Sequence, residues 1–143
     1  MISPESMLQR WAMIVELSSA VFADMRDHAI RAHPEEACGL LLGDATRIMK
    51  YVPAANVHAR PATHFEIDPL VLIAAHKAAR AGGTAIAGYF HSHPHGAARP
   101  SATDRAMAAH DGAVWAIWGE GGVEFWKDEA DGFAALPYRL SDG

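Results

Sequence analysis

The ten residues TAIAGYFHSH, Thr84 to His93, constrain this chain most. Their apolar run predicts a buried strand. On a strand, residues two apart point to the same side, so His91 and His93 present two imidazoles to one point while Ser92 faces away. Pro94 is expected to end the strand, and the loop through Gly96 and Pro100 turns the chain. Ser101 then opens a helix that carries Asp104 in its first turn, from where its carboxylate reaches back to the same point.

The rest of the chain alternates strands and helices around that element. AMIVELSS reads as a first strand, after which Ser18 or Ser19 caps a helix whose Phe22, Met25, Ala29 and Ile30 share a face up to Pro34. EEACGLLLG is an apolar strand, and a turn at Gly43-Asp44 leads to TRIMKYVP as its antiparallel partner. PAANVHARPAT is a loop by its prolines and asparagine, followed by a short strand, HFEI. Asp68 caps a helix with Pro69 at its first position, apolar at Leu72, Ile73 and Ala79 and closed by Gly82-Gly83. SATDRAMAAHD reads as a helix, and AVWAIWG, GVEFWK and FAALPYRL as closing strands. Helices interleaved with strands, some of them paired in hairpins, predict a layered α/β domain with a mixed sheet. Residues 1–12 lack periodicity and are expected to form an N-terminal arm on a single domain over residues 13–143.

Composition narrows the function classes. The chain has 143 residues, 50% of them hydrophobic and 20% charged, which is the make-up of one globular domain. A net charge of -5 without a basic run argues against nucleic acid and against a membrane surface as general partners. The lone cysteine, Cys38, rules out an internal disulfide. With no long apolar segment at the start or elsewhere, a cytoplasmic protein is the expectation.

Two neutral imidazole nitrogens and one carboxylate oxygen suit a tetrahedral zinc ion with one position left open for water, the arrangement of a catalytic site. Such a site also needs a base near the metal but not on it, and Glu36, at the start of a strand beside the histidine strand, is the candidate. Glu35 would face the other way. HSHPHGAARPSATD carries a His-x-His-x10-Asp spacing, and PEEACGLLLG upstream has a Glu-x-x-Gly-hydrophobic pattern. Together they resemble the JAMM (MPN-plus, JAB domain) zinc metallopeptidases. The resemblance also takes in NVHARPATHFEIDP and the helix after it, from about Val15 to Trp118.

The resemblance implies a three-layer JAB/MPN fold, of the cytidine-deaminase-like kind, with helices flanking the mixed sheet. It implies one Zn2+ per chain held by His91, His93 and Asp104, with Glu36 as general acid/base and Ser101 helping to hold the tetrahedral oxyanion. The reaction it implies is amide hydrolysis without a covalent intermediate. A chain this short has no room for the large insertions that grip ubiquitin in eukaryotic members, so it resembles a minimal prokaryotic-type member. Such relatives act on small ubiquitin-like or sulfur-carrier proteins, and the expected bond is the amide after a C-terminal Gly-Gly.

Simpler readings compete at several positions. Ser101 and Asp104 also form a capping-box-like helix start, which explains both without chemistry but leaves the histidines unexplained. Cys38 shares a face with Glu36, yet a lone cysteine on an apolar strand is core packing first. His95 reads as solvated. Trp115, Trp118 and Trp126 are expected to pack the sheet or a homodimer face, and Asn56 and Phe65 to line the cleft floor or order the loop. A zinc deaminase needs a Pro-Cys-x-x-Cys element that one cysteine cannot supply. A non-catalytic scaffold domain of the same fold is the remaining alternative.

Overall fold

Ser18 begins the helical architecture: its Oγ accepts a hydrogen bond from the backbone N–H of Val21 at 3.2 Å, capping the first helix. The computed structural model describes residues 13–142, so the expected arm over residues 1–12 lies outside the described residues. Among the described residues three helices, α1 (Ser19–Ala32), α2 (Pro69–Arg80) and α3 (Ala102–Met107), accompany eight strands. The strands are β1 (Val15–Ser18), β2 (Cys38–Gly43), β3 (Arg47–Ala54), β4 (Ile86–Ala97), β5 (Val114–Glu120), β6 (Gly122–Glu129), β7 (Gly132–Leu136) and β8 (Tyr138–Ser141). They form one mixed sheet in the order β7-β6-β5-β4-β2-β3-β1-β8, with β4 parallel to β5 and antiparallel to β2. This is the mixed α/β architecture, helices flanking the sheet, that the sequence predicts.

The pleat of β2 separates the two faces. Leu41 packs with Val21, Met25 and Ala29 of α1 and with Phe90, while Leu40 packs on the other side with Ile67 and with Val71, Leu72 and Ala75 of α2. Ile30 and Ile73, expected on the apolar helix faces, are 63% and 51% exposed. Each follows the residue that does face the sheet, about 100° round the helix. Gly88 lets β4 and β5 meet, since a Cβ there would lie 1.7 Å from the carbonyl oxygen of Val114.

Other departures concern the ends of elements. FAALPYRL divides at Pro137: β7 pairs with β6, whereas β8 pairs in parallel with β1 at the opposite end of the sheet order. One proline therefore spans the two sheet edges, so the sheet must curl until they meet, and the Pro137 carbonyl accepts from Val15 N at 3.0 Å at the start of the β1–β8 pairing. The curl wraps around α1, which explains why one core cluster draws on β1 and β6 together. HFEI is not a strand beyond a bridge from Ile67 to Asn56, and the helix after Ser101 stops at Met107. β4 runs past Pro94 to Ala97. Its ladder with β2 ends at His91, and its register with β5 skips from Ser92 to Ala97, so no ladder partner needs the N–H that Pro94 lacks. No helix among the described residues is long and apolar enough to cross a membrane.

Candidate metal centre

Strand pleating brings His91 and His93 to one side of β4, as the sequence predicts, and α3 supplies the third group. Nε2 of His91 lies 3.1 Å from Nε2 of His93, and Asp104 Oδ2 lies 3.0 Å from the first and 3.1 Å from the second. His91 is fully buried and Asp104 is buried, whereas His93 is partly open. These residues are a group able to hold a metal ion, the three ligand atoms all lying within 4.8 Å of one another.

A backbone hydrogen bond fixes what His93 offers. His93 Nδ1 faces the carbonyl oxygen of Ala97 at 2.8 Å, and since a carbonyl only accepts, Nδ1 carries the hydrogen. In the neutral ring Nε2 is then a lone pair, aimed at a second imidazole nitrogen and a carboxylate. Bonds of about 2.0 Å to a tetrahedral ion set ligand atoms about 3.3 Å apart. The observed separations of 3.0 to 3.1 Å fit that spacing, and two imidazoles with one carboxylate are a zinc donor set. Burial holds His91 below its ordinary pKa despite Asp104, which keeps it neutral. Burial alone would raise Asp104, but hydrogen bonds from His91 and His93 hold its carboxyl well below the usual range. Burial likewise depresses His93, yet its contacts with Asp104 and Ala97 carry it above its ordinary value.

The surroundings orient the three groups. Phe65 stacks on the His91 ring at 4.3 Å and 18°, and Trp115 meets it edge-on at 5.7 Å. Ser101 and Asp104 form the reciprocal capping box: Asp104 N donates to Ser101 Oγ at 3.0 Å and Ser101 N donates to Asp104 Oδ2 at 2.9 Å. The cap that competed with a metal role is thus compatible with it, since it aims the carboxylate at the histidines.

Glu36 sits in the link before β2 rather than on the strand. Its side chain is buried, 6% exposed, and shares a cleft of about 480 Å³ with Thr63, His93, Arg99 and Ser101. Glu35 is exposed. Burial pushes the Glu36 carboxyl up to about 7, His93 pulling it down and Asp104 pushing it up. Backbone bonds hold the link: Glu36 N donates to Pro61 O at 2.7 Å, and Ala37 N to Ser92 Oγ at 2.8 Å. Asn56 Nδ2 donates to Glu36 O at 3.0 Å and to His64 O at 2.9 Å, while its Oδ1 accepts from His58 N and Glu66 N. Asn56 therefore orders the loop that carries Phe65, and Phe65 alone of the pair touches the histidines.

Several residues stand elsewhere. His95 is exposed and packs against His33 at 5.4 Å. Cys38 is buried, pairs across the ladder with His91 and is pushed up to about 12, first by burial and then by Glu36. Trp118 packs on Phe22 and Trp126 bonds Ala98 O, both within the fold. Two contributions escaped the sequence: the support Ser92 gives Ala37 from the far face, and Trp115 against His91. The first was signalled only by a serine inside an otherwise apolar strand.

Comparison with known proteins agrees with this geometry. The chain is 33% identical over 110 residues to the desampylase of Haloferax volcanii, covering 76% of this chain and 79% of that one. It is 32% identical over 111 residues to the probable TtuB-protein conjugate cleaving protease of Thermus thermophilus, covering 78% and 74%. A solved solution structure from Desulfitobacterium hafniense superposes with a TM-score of 0.79 at 29% identity, covering 91% of this chain and 94% of that one. The family model described as prokaryotic homologs of the JAB domain matches residues 18–129, so the strand carrying His91 and His93, Glu36 and the capped helix all fall within it, and the chain belongs to that family.

Proposed function

We propose that this chain is a zinc-dependent peptidase or isopeptidase that cleaves the amide bond after the C-terminal Gly-Gly of a small ubiquitin-like or sulfur-carrier protein. His91, His93 and Asp104 would hold one zinc ion. The observation that carries the reading is the convergence of His91 Nε2, His93 Nε2 and an Asp104 carboxylate oxygen beside a buried Glu36 in the same cleft. When bound, zinc supplies an acidified water and a Lewis-acid contact for the scissile carbonyl.

The side chains do the rest. A Glu36 carboxyl pushed up to about 7 exchanges a proton near neutrality, so it can take one from water and return it to the leaving amine. The Ser101 hydroxyl already accepts from Asp104 N, which leaves its own hydrogen to donate into the cleft, towards an oxygen gaining charge. Phe65 and Trp115 exclude water from the inner side of His91. The Gly-Gly preference rests on the resemblance to the family, and the relatives' names, a desampylase and a TtuB-conjugate protease, support a protein conjugate as substrate.

The test is a pair of fusions that differ only in their junction, Gly-Gly or Val-Val, incubated with zinc-loaded protein and read by mass spectrometry. Cleavage confined to the Gly-Gly junction and abolished by chelator is expected. Equal cleavage of both, or cleavage that survives chelation, overturns the proposal.

A further inference from the structure

A second cavity, on the α2 side of the sheet, adjoins the metal centre through shared walls. Phe65 and Met107 line both this cavity and the crevice that holds Glu36 and Asp104. Tyr89 and Trp115 complete an aromatic wall, Trp115 meeting both Phe65 and Tyr89 edge-on at 6.2 and 6.3 Å. Its charges have one sign among the described residues: Glu66, Asp111 and Asp128 line it, and no described lysine or arginine does.

Asp128 is the informative member. It is fully buried, and its Oδ1 has no hydrogen-bond partner. Its Oδ2 accepts from His110 N at 2.9 Å, and His110 Nδ1, 3.5 Å from Oδ1, already faces Glu129 O at 3.0 Å. Buried carboxylate oxygens left this way are rare, because desolvation without a partner is costly. Trp115 Nε1, in the same wall, is also buried without a partner.

We propose that the cavity walled by Phe65, Tyr89, Trp115 and Met107, with Asp128 at its buried end, is a subsite for a lysine or arginine side chain of the protein substrate. The aliphatic stem packs on the apolar wall, the aromatic faces attract the cation, and the three carboxylates balance its charge. An extended chain advances about 3.3 Å per residue, so a side chain a few positions from the cleaved bond reaches past Phe65 into the cavity. The assignment rests on the peptidase reading only for the molecule that carries the side chain.

Binding is measured on the full chain, without chemistry. Nα-acetyl-lysine methylamide and Nα-acetyl-norleucine methylamide, alike but for the charge, are titrated while the indole N–H resonance of Trp115 is followed, assigned with Trp115→Phe. The lysine compound should shift it saturably and bind about tenfold tighter. That ratio should fall towards one in Asp128→Asn. Should that variant not fold, the double variant Glu66→Gln, Asp111→Asn, both at exposed positions, should lower the ratio severalfold. Equal binding of the two compounds, or a ratio untouched in the folded variants, overturns the subsite. A purely structural Asp128 moves stability and leaves the ratio alone. Lysine binding by a preparation that cleaves no Gly-Gly fusion keeps the subsite and removes the peptidase reading, and cleavage without lysine preference does the reverse.

Discussion

Glu35 and Glu36 are neighbours in opposite environments, one exposed and one buried beside His93 and Ser101. Glu36→Gln keeps the shape and removes the proton carrier, so it should retain zinc and fold while turnover falls by roughly 10² to 10⁴. Glu35→Gln should change turnover little, and comparable losses at both positions would show that bulk charge, not one positioned carboxyl, controls the site. Cys38 faces the same side of the sheet as His91 yet behaves as packing, its Sγ 3.7 Å from Ala55 O. Because burial and Glu36 push its thiol up to about 12, almost no thiolate exists near neutrality. Iodoacetamide at pH 8 should therefore leave Cys38 unmodified in the folded chain and alkylate it in urea, by intact mass. Rapid labelling of the folded protein would instead place Cys38 among the reactive groups of the site.

β4 carries the site on both of its faces, and the face away from the histidines is the less obvious one. Ser92 N donates to Ala37 O at 3.0 Å while Ser92 Oγ accepts from Ala37 N, so the residue between the two histidines clamps the link that carries Glu36. Ser92→Ala leaves a buried N–H unpaired, which costs about 1 to 3 kcal/mol, and should lower the urea midpoint together with turnover. An unchanged midpoint would mean that the ladder alone holds the link. The alternation of His91 and His93 was legible because a strand's period is local, and so were the caps at Asp68 and Ser101, which are spelled by adjacent residues, while for the first helix Ser18 and Ser19 read alike and the structure selects Ser18. The extent of β4 was not: whether Pro94 stops a strand depends on whether a neighbour needs its N–H, and none does. HFEI failed as a strand for the converse reason: its backbone bonds to the 55–57 segment stop at one bridge, and His64 O and Glu66 N turn instead to the Asn56 side chain. The cavity ending at Asp128 joins residues from 65 to 128 and has no signature in any one segment.

Curling of the sheet packs its strands around α1, and His91, His93 and Asp104 join β4 to α3 across an irregular loop. Without a cation, two imidazole nitrogens and a carboxylate converge within 3.1 Å, and the electrostatics favour a proton on His93 beside Asp104. Metal and proton therefore compete for His93 Nε2. An ion bound only by the folded chain raises stability by RT ln(1 + [L]/Kd), about 4 kcal/mol when the free ion is a thousandfold above Kd. Chelation should lower Tm by several degrees, and added zinc should restore it. The sign with pH follows from His93: its raised value means the metal-free fold gains stability from protonation at low pH and loses it as pH rises through the folded pKa. The metal-loaded fold, whose ligands are already deprotonated, does not share that gain. The Tm difference between loaded and chelated protein should consequently widen as pH is raised from below the ordinary imidazole value of about 6.5 up through the raised folded value of His93. His91→Ala should abolish the difference at every pH and lose zinc on dialysis, whereas His95→Ala, outside the cluster, should keep both. A difference that is independent of pH, or one that survives in His91→Ala, would show that the stabilising ion sits somewhere other than these three residues.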